Sequence, residues 1–456
     1  MDAVQPRVRV ERRSYAPKTF PCPHCGRRGR RKAIHHRRVR DIAYGEIVTL
    51  EIDVGEYRAR CCCCKTFRAQ VPGVQARAAY TNRVRQAVLD RLVDDRMSME
   101  RLREGMQRDF HLDLSQGFLY DCLDWKIRQV NLPAYRQWTL DHFSGTLCID
   151  EIHLGHRTLL LATDPLSDFP VAFALVSAND HEHMRRFLQN LKQWGFVPQV
   201  IVTDGSNLYP KLLVELWPQA RHQLCIFHVL KDINTCVLDA VRRLRRQHAA
   251  KTARRQRRRG RPSRAQQRAR ARQGKTKKEQ AYFIWKHRHL LVTRPENLNG
   301  RQRRWLSQMF QDVPALRRLR AFVLEVYGLF DPSRGLRQII TRWANLVENP
   351  AYLADPDLAR ALQMLSPEKF EKMIAYLESP LGQRVRTNNH VERTNRRLRY
   401  LEKVRYKWRR RRTIVRFVVL AFDRWRQQQG TVTRIETPKA TSSPQQNPAK
   451  RGKGSP

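Results

Sequence analysis

The sequence predicts a multidomain α+β protein, and three observations lead to this fold class. Two cysteine pairs flank a predicted hairpin near the N-terminus, three short helical segments follow, and residues 146–235 alternate between strands and helices. A long helical stretch then separates this α/β region from a last predicted helix. At 456 residues the chain is too long for one compact core, so several domains are expected.

The charge of the chain indicates a polyanionic partner. Lys and Arg number 89 against 42 Asp and Glu, which gives a formal net charge of +47. Self-repulsion on this scale is tolerated where nucleic acid neutralises it. The sequence has no apolar run of the roughly 18 residues that span a bilayer and no signal peptide, so a soluble, cytoplasmic protein without membrane contact is expected.

Shifts in composition divide the chain into segments. Between residues 242 and 278, 18 of 37 residues are basic and none is acidic, so this run is expected to be helical only when DNA neutralises it. The predicted segments are a loose basic arm (1–20), a cysteine-rich ribbon (21–75), a helical module (80–132), the first part of an α/β core (141–235), a helical insertion (236–380), the last helices of the core (381–430) and a disordered tail (431–456).

Paired cysteines at both ends of the predicted hairpin indicate a zinc site. Cys22 and Cys25 form one CxxC pair, and Cys61 and Cys64, the outer residues of four consecutive cysteines, keep the same spacing. Two such pairs can close a tetrahedral site of four thiolates, so structural Zn²⁺ in a zinc ribbon is expected. The alternatives are a one-residue shift onto Cys62 and Cys63, and His24 as a ligand.

Three predicted helices at 82–94, 99–108 and 115–130 are typical of a helix-turn-helix module. Ser98 and Ser115 stand at the N-cap positions of the second and third helices. The third carries Tyr120, Lys126 and Arg128, which we expect to contact DNA. The alternative is an ordinary helical linker domain.

Residues 146–235 follow the order of a ribonuclease-H-like fold. Strands are predicted at 147–150, 158–163, 171–176, 200–203 and 223–227, with one helix after the third strand and another at 208–216. The order βββαβαβ is that of the ribonuclease-H-like mixed sheet, which has helices packed on its faces.

Two aspartates end two of these strands. Asp150 follows the apolar residues of the first strand, and Asp204 follows the fourth. The two strands are neighbours in such a sheet, so the carboxylates are expected to meet and to hold Mg²⁺ or Mn²⁺ for phosphoryl transfer. The alternatives are a turn residue at Asp150, a helix N-cap at Asp204, and Glu151 as the rival of Asp150.

A third carboxylate is expected on the helix that begins near residue 387. Glu392 shares a stripe of this helix with amide and guanidinium side chains, including Asn388 and Asn395, which suits a metal site beside a phosphate backbone. The alternative is a capping box, because Asn389 and Glu392 have the required spacing. Glu402 is the second candidate for the third acid.

These elements resemble the DDE transposases of bacterial insertion sequences, in particular the family with an N-terminal zinc ribbon and an all-helical insertion before the last acid. The matching segments are 57–67, 149–151, 202–205, 294–298 and 388–397. The four consecutive cysteines and the basic run at 242–278 depart from the family pattern, which leaves the zinc ligands and the start of the insertion open.

The resemblance implies roles for individual residues. Asp150, Asp204 and Glu392 would be the catalytic triad of Mg²⁺- or Mn²⁺-dependent DNA cleavage and strand transfer, and Cys225 and His228 would support the site. The basic side chains expected to hold phosphates are Arg393, Arg396, Arg405, Lys407 and Arg409, with the arginines that follow up to residue 412.

The resemblance also implies the partners. They would be terminal inverted repeats and target DNA in the nucleoid of a bacterium, bound by a homodimer or a larger assembly. Two other functions remain open: a catalytically inactive, transposase-derived DNA-binding regulator, and a ribonuclease-H-like nuclease.

Overall fold

The computed structural model describes residues 6–435 apart from 24, 60–65, 251–263, 265–275, 381–383 and 406–407. The chain divides into two compact units. The first combines Met1–Trp138, Leu154–His156 and Arg396–Pro456, and the second combines Thr139–His153 and Arg157–Asn395. Within the described ranges, no helix is long and apolar enough to cross a bilayer.

The strands and helices have the following bounds. The strands are β1 (Arg7–Tyr15), β2 (Thr19–Pro21), β3 (Arg28–Ala43), β4 (Glu46–Ala59), β5 (Thr66–Arg68), β6 (Thr146–Leu154), β7 (Arg157–Asp164), β8 (Phe169–Val176), β9 (Val200–Thr203) and β10 (Arg221–Leu224). The α-helices are α1 (Asn82–Leu89), α2 (Met99–Phe110), α3 (Gln116–Ile127), α4 (Leu132–Asp141), α5 (His181–Gln193), α6 (Pro210–Leu216), α7 (Ile226–Ala250), α8 (Lys277–His287), α9 (Gly300–Asp312), α10 (Leu316–Leu329), α11 (Leu336–Val347), α12 (Pro350–Leu353), α13 (Pro356–Leu362), α14 (Pro367–Ile374), α15 (Asn389–Lys403) and α16 (Arg411–Ile435). A π-helical turn covers Asp90–Asp94, and 3-10 turns cover Arg288–Leu291, Pro295–Asn297, Gln363–Leu365 and Ala375–Glu378.

The first unit is built on a five-stranded mixed sheet. Its order is β1-β4-β3-β2, with β5 beside β4. β3 and β4 form the predicted hairpin around Gly45, whose φ of +70° is a conformation that glycine adopts without steric cost. Alternate residues of β4, among them Leu50 and Ile52, are buried, as expected for a strand with one face on a core.

Residues 7–15 do not form the loose arm that the sequence predicted. They form β1, which pairs in parallel with β4 along its whole length. Arg9 and Arg12 make ion pairs with Glu46 and Glu51 of β4. The arginines that indicated a solvated arm therefore lie beside acidic side chains of the neighbouring strand.

The first cysteine pair lies in the turn between β2 and β3. Cys22 is buried and Cys25 is exposed. At this end of the sheet Gly29 of β3 pairs with Ala59, the last residue of β4. Cys61, Cys64 and His24 lie outside the described residues, so the zinc site stays a prediction.

The helices of the first unit begin close to their predicted positions. The side chain of Ser98 accepts the Arg101 N–H and that of Ser115 accepts the Phe118 N–H, which confirms both N-caps. The helix predicted over 82–94 consists of α1 and the π-helical turn. α3 packs against α1 and α16.

The second unit contains a mixed sheet in the order β10-β9-β6-β7-β8. β10, β9 and β6 are parallel, while β7 and β8 are antiparallel. β6 and β9 pair from Thr146 opposite Val200 to Cys148 opposite Val202. With two mixed sheets and many helices, the mixed α/β character predicted from the sequence is confirmed.

The end of this sheet differs from the prediction. β10 covers Arg221–Leu224 and α7 begins at Ile226, so the strand predicted over 223–227 starts and ends too late in the chain. α7 then continues to Ala250 without a break at the predicted boundary near 236. The helices that follow pack around a large apolar core, whereas most of the basic run lies outside the described residues.

The last helix is longer than expected. α16 continues to Ile435, past the predicted start of the tail at residue 431. The rest of the predicted tail, residues 436–456, lies outside the described residues.

Candidate active site

The first two acids stand at neighbouring points of the second sheet. Asp150 and Asp204 each lie two residues beyond the paired Cys148 and Val202. The two strands are parallel and adjacent, and the spacing between hydrogen-bonded strands is about 4.8 Å. The sheet therefore brings the two aspartates side by side.

The third acid, Glu392, lies on a stripe of side chains that makes two hydrogen bonds to β6. Asn388 donates from Nδ2 to Ile149 O over 2.8 Å, and Asn395 donates from Nδ2 to Asp150 Oδ2 over 2.7 Å. Glu392 stands between these two amides at i+4 from the first and i−3 from the second, so it lies on the same face of α15. This face of the helix therefore lies against the strand that carries Asp150.

The capping-box interpretation of Glu392 does not fit the helix start. α15 begins at Asn389, so this residue is the first of the helix and not its cap. The N–H of Glu392 donates to Asn388 O over 3.0 Å, as in a regular first turn. Glu402, the second candidate, accepts the Gly155 N–H over 2.9 Å.

The two aspartates lie among other carboxylates, which affects their pKa values. Burial raises the pKa of Asp150 to about 7, and the carboxylates of Glu151, Asp204 and Glu392 add to the increase. Burial also raises the pKa of Asp204, which is opposed by the Ser206 N–H that donates to it over 3.0 Å. Ionising these groups together is costly, and a bound cation would offset that cost.

Glu151, the rival of Asp150, already has protein partners on both oxygens. Tyr209 donates from its hydroxyl to Oε2 over 2.5 Å, and Asn179 donates from Nδ2 to Oε1 over 2.9 Å. Asp150 is bonded instead to Asn395 on α15. Successive side chains of a strand point to opposite faces, and the two sets of partners agree with this alternation.

Cys225 contacts the residue directly before α15, and His228 contacts Glu392 on this helix. Cys225 Sγ accepts the backbone N–H of Asn388 over 3.2 Å, and its own N–H donates to Thr203 O over 2.8 Å. His228, in the first turn of α7, has Nε2 at 3.6 Å from Glu392 Oε1. Burial raises the pKa of the Cys225 thiol, which suits a structural contact better than a nucleophile.

The acids do not form a ready-made ion cage. In the part of the chain that the structure describes, no three His, Cys, Asp or Glu side chains are close enough together to hold a metal ion. The donors are nonetheless of the right kind, because carboxylate and amide oxygens are the ligands that Mg²⁺ and Mn²⁺ prefer. The amide oxygens of Asn388 and Asn395 are buried and have no hydrogen-bond partner among the described residues.

Arg405, which was expected to contact DNA, makes hydrogen bonds to backbone carbonyls of the first unit. Its guanidinium donates from Nη2 to Leu92 O over 2.6 Å and to Met97 O over 3.0 Å, and it lies over the ring of Phe417. Burial lowers its pKa to about 10. These contacts hold the side chain within the first unit, and its expected phosphate contact stays a prediction.

Two further basic residues also have acidic partners within their own units. Lys126 Nζ lies 3.9 Å from Asp423 Oδ2, and its side chain is 19% exposed. Its expected DNA contact stays a prediction. Arg393 forms an ion pair with Asp168 while remaining half exposed. The other residues expected at DNA divide into the exposed Arg128, Arg396 and Arg409, the half-buried Tyr120, and Lys407, which lies outside the described residues.

Sequence reasoning missed the partners that hold the cluster in place. Tyr209 is fully buried, yet nothing in its sequence neighbourhood links it to Glu151. His222 contacts Thr203 Oγ1 over 2.8 Å, directly before Asp204, and was also not foreseen. Only the Asn388–Glu392–Asn395 stripe carried a signal, through its i, i+4, i+7 spacing.

Comparison with known proteins identifies the family. No curated protein matches the chain. Among solved structures it is similar to the Drosophila P element transposase strand transfer complex, at a TM-score of 0.36 and 11% identity over 78% of this chain and 93% of that chain. A likeness at this TM-score supports no further conclusion. The family model of ISL3-type DDE transposases, described as a transposase, matches residues 147–413, which is more than half of the chain. The chain therefore belongs to the ISL3 family of DDE transposases.

Proposed function

We propose that this protein is a DNA transposase that binds the terminal inverted repeats of an insertion sequence, cleaves DNA at their ends and joins them to target DNA. One observation carries the proposal. Asp150, Asp204 and Glu392 are far apart in the chain, yet the contacts of β6, β9 and α15 bring them to one end of a mixed sheet. The strand order of this sheet supports a ribonuclease-H-like catalytic domain.

The three acids would hold Mg²⁺ or Mn²⁺. When bound, such an ion would activate the attacking oxygen of a phosphodiester exchange and stabilise the leaving oxygen. The residues of the chain orient this site: Asn395 holds Asp150, and Ser206 holds Asp204. Cys225 and His228 fix the start of α15 and thereby the position of Glu392.

A cleft in the first unit supports DNA binding. Its volume is about 620 Å³, and Arg409 and Arg410 line it together with Met99 and Glu100 of α2 and Gln116 and Gly117 of α3. α2 begins with Met99 and Glu100, and α3 begins with Gln116 and Gly117. At such helix N-termini the backbone N–H groups have no partner within the helix, and the helix dipole favours anions. Arg405 lines the cleft as well. A DNA phosphate is the ligand that fits two helix N-termini and three arginines, although the carboxylate of Glu100 is also part of the lining.

We also propose that Cys22 and Cys25 form half of a structural Zn²⁺ site that Cys61 and Cys64 complete. The first pair lies at the end of the sheet where β4 ends, and the second pair follows directly after β4 in the chain. Zinc content can be measured on purified protein by atomic emission. Wild type is expected to hold about one zinc per chain, and Cys22→Ser with Cys25→Ser is expected to hold none. An unchanged zinc content in the double variant would exclude these ligands.

The decisive experiment uses purified full-length protein, a labelled duplex that carries the inverted repeat flanking its own gene, and a supercoiled target plasmid. With Mg²⁺ or Mn²⁺ we expect nicking at the repeat boundary and joined products, and Asp204→Asn is expected to abolish both while leaving binding of the repeat intact. Because joining requires two ends, we expect the active species to be a homodimer or a larger assembly.

The other possible outcomes would indicate a different function or a different set of catalytic residues. Tight binding of the repeat without cleavage by wild type would indicate a DNA-binding regulator. Metal-dependent cleavage without any joined product would indicate a ribonuclease-H-like nuclease. Cleavage that survives in Asp204→Asn would show that the proposed triad is wrong.

A further inference from the structure

Asn395 occupies a special position beside the first acid. It is 5% exposed, and its Nδ2 donates to Asp150 Oδ2 over 2.7 Å. Its amide oxygen, in contrast, has no hydrogen-bond partner in the described part of the chain. Buried acceptors in folded proteins usually have a hydrogen-bond partner, and an ion or a ligand can supply one where the protein does not.

The geometry limits where this oxygen can be. The two polar atoms of a planar amide are about 2.3 Å apart, because both are bonded to the same carbon at about 1.2 and 1.3 Å. Asn395 Oδ1 therefore lies within about 5 Å of Asp150 Oδ2, given the hydrogen bond of 2.7 Å. One cation with oxygen ligands at 2.0–2.1 Å contacts both atoms where they are no more than about 4.2 Å apart, and at the larger separations one of its water molecules bridges them.

The chemistry of the surroundings favours a cation over a protein donor. The groups that act electrostatically on Asp150 are the carboxylates of Glu151, Asp204 and Glu392. A lysine or arginine at position 395 would neutralise Asp150 but would repel a metal ion, whereas an aspartate would add another buried negative charge. An amide does neither, and it combines a donor for the carboxylate with an oxygen for the cation.

We propose that Asn395 is a positioning residue of the cation site: its Nδ2 holds the carboxylate of Asp150, and its Oδ1 enters the coordination shell of the ion that Asp150 binds. This inference rests on the proposed metal-dependent function. Asn388 is its counterpart two helical turns earlier and holds the strand through Ile149 O.

The test measures Mn²⁺ binding to full-length protein by the electron paramagnetic resonance signal of free Mn²⁺, without DNA. Asn395→Ala is expected to weaken Mn²⁺ binding about 10- to 100-fold, the range found for residues that orient metal ligands. Asn395→Asp restores an oxygen but removes the Nδ2 donor that holds Asp150, so it is expected to bind Mn²⁺ more tightly than Asn395→Ala and more weakly than wild type. Asn389→Ala is the matched control, because Asn389 is an exposed amide in the first turn of the same helix.

Each outcome decides for or against the proposal. Wild-type affinity in Asn395→Ala would overturn it, while the proposed transposase function would stand. Equal loss in Asn395→Ala and Asn395→Asp, with thermal unfolding of both unchanged, would also overturn it, because the oxygen would then contribute nothing. If Asn395→Ala fails to fold, the Mn²⁺ affinity of Asn395→Asp decides: a reduced but measurable affinity supports the proposal, and a wild-type affinity overturns it. Absence of Mn²⁺ binding in wild type would refute both this inference and the proposed cation site. If the Mn²⁺ affinities of wild type and the Asn395 variants are as expected but wild type does not cleave DNA, the inference stands and only the transposase function is refuted.

Discussion

The thiol sulfur of Cys225 accepts the backbone N–H of Asn388 over 3.2 Å, although 163 residues separate the two positions. The N–H of Cys225 in turn donates to Thr203 O, the residue before Asp204. Asn388 continues the connection through Nδ2 to Ile149 O, the residue before Asp150. Cys225 and Asn388 together thus connect the backbones that carry all three proposed catalytic acids.

Removing the thiol should disturb both stability and the position of Glu392. Cys225→Ala leaves the buried N–H of Asn388 without an acceptor, which is expected to lower the free energy of unfolding by about 1–3 kcal/mol and to reduce DNA cleavage. Cys225→Ser keeps an acceptor and should retain most of both. Urea unfolding and the cleavage assay measure the two effects. Cys122→Ala, which empties a similar buried volume in the first unit, is the control and should leave cleavage unchanged. Full cleavage by a folded Cys225→Ala would contradict the role of this contact.

The raised pKa of Asp150 predicts how stability depends on pH without added Mg²⁺ or Mn²⁺. Because the pKa is 3.8 in an unfolded chain and about 7 in the folded protein, the folded state binds the proton more tightly. Asp150 therefore leaves the free energy of unfolding unchanged at pH 3. As the pH rises towards 7, it lowers this free energy by an increasing amount, to at most about 4 kcal/mol. Asp150→Asn is expected to raise the melting temperature at pH 8 more than at pH 5. A gain that is equal at both pH values would show that Asp150 is not perturbed.

A double-mutant cycle can measure the contact between Tyr209 and Glu151. The Tyr209 hydroxyl is buried and donates to the carboxylate, and hydrogen bonds to charged groups contribute about 1.5–3 kcal/mol. Tyr209→Phe and Glu151→Gln are each expected to destabilise the protein, and the double variant should lose less than the sum of the two. Additive losses in urea unfolding would mean that the two side chains do not interact.

Arg405 and Arg409 are expected to behave in opposite ways. Arg405→Ala leaves the part-buried carbonyls of Leu92 and Met97 without this donor and should cost about 2–4 kcal/mol of stability. Arg409→Ala should change stability by less than about 0.5 kcal/mol, because the side chain is exposed. It should instead weaken DNA binding at all sequences and lower the salt dependence of log Kd by about one unit. Loss of DNA affinity in a fully stable Arg405→Ala would reverse this assignment.

The sequence was most informative where local pattern and function coincide. Asp150 and Asp204 could be selected because each ends an apolar strand, and parallel strands bring such ends together. The stripe that carries Glu392 was visible for the same kind of reason, since residues i, i+4 and i+7 share a helix face. The N-caps at Ser98 and Ser115 were equally local, and both are present.

The sequence was least informative where a charged side chain finds a partner far away in the chain. Arg405 and Lys126 look like phosphate ligands in the sequence, and the contacts with Leu92 and Asp423 could not be foreseen from it. The arginines of residues 7–15 suggested a solvated arm, yet the strand that they belong to pairs with β4. Charge alone does not distinguish these cases, because an arginine in an ion pair and an arginine facing solvent have the same local composition.

The sequence by itself determined the order of strands and helices, the two strand-end aspartates and the face of α15 that bears the third acid. These features follow from periodicity and from turn and cap residues within a few positions of each other. Only the tertiary structure decided which side chains hold the acids, namely Asn395 on Asp150 and Tyr209 on Glu151. Such contacts join residues 245 and 58 positions apart, and they form only when the packing of strands and helices has brought the side chains together.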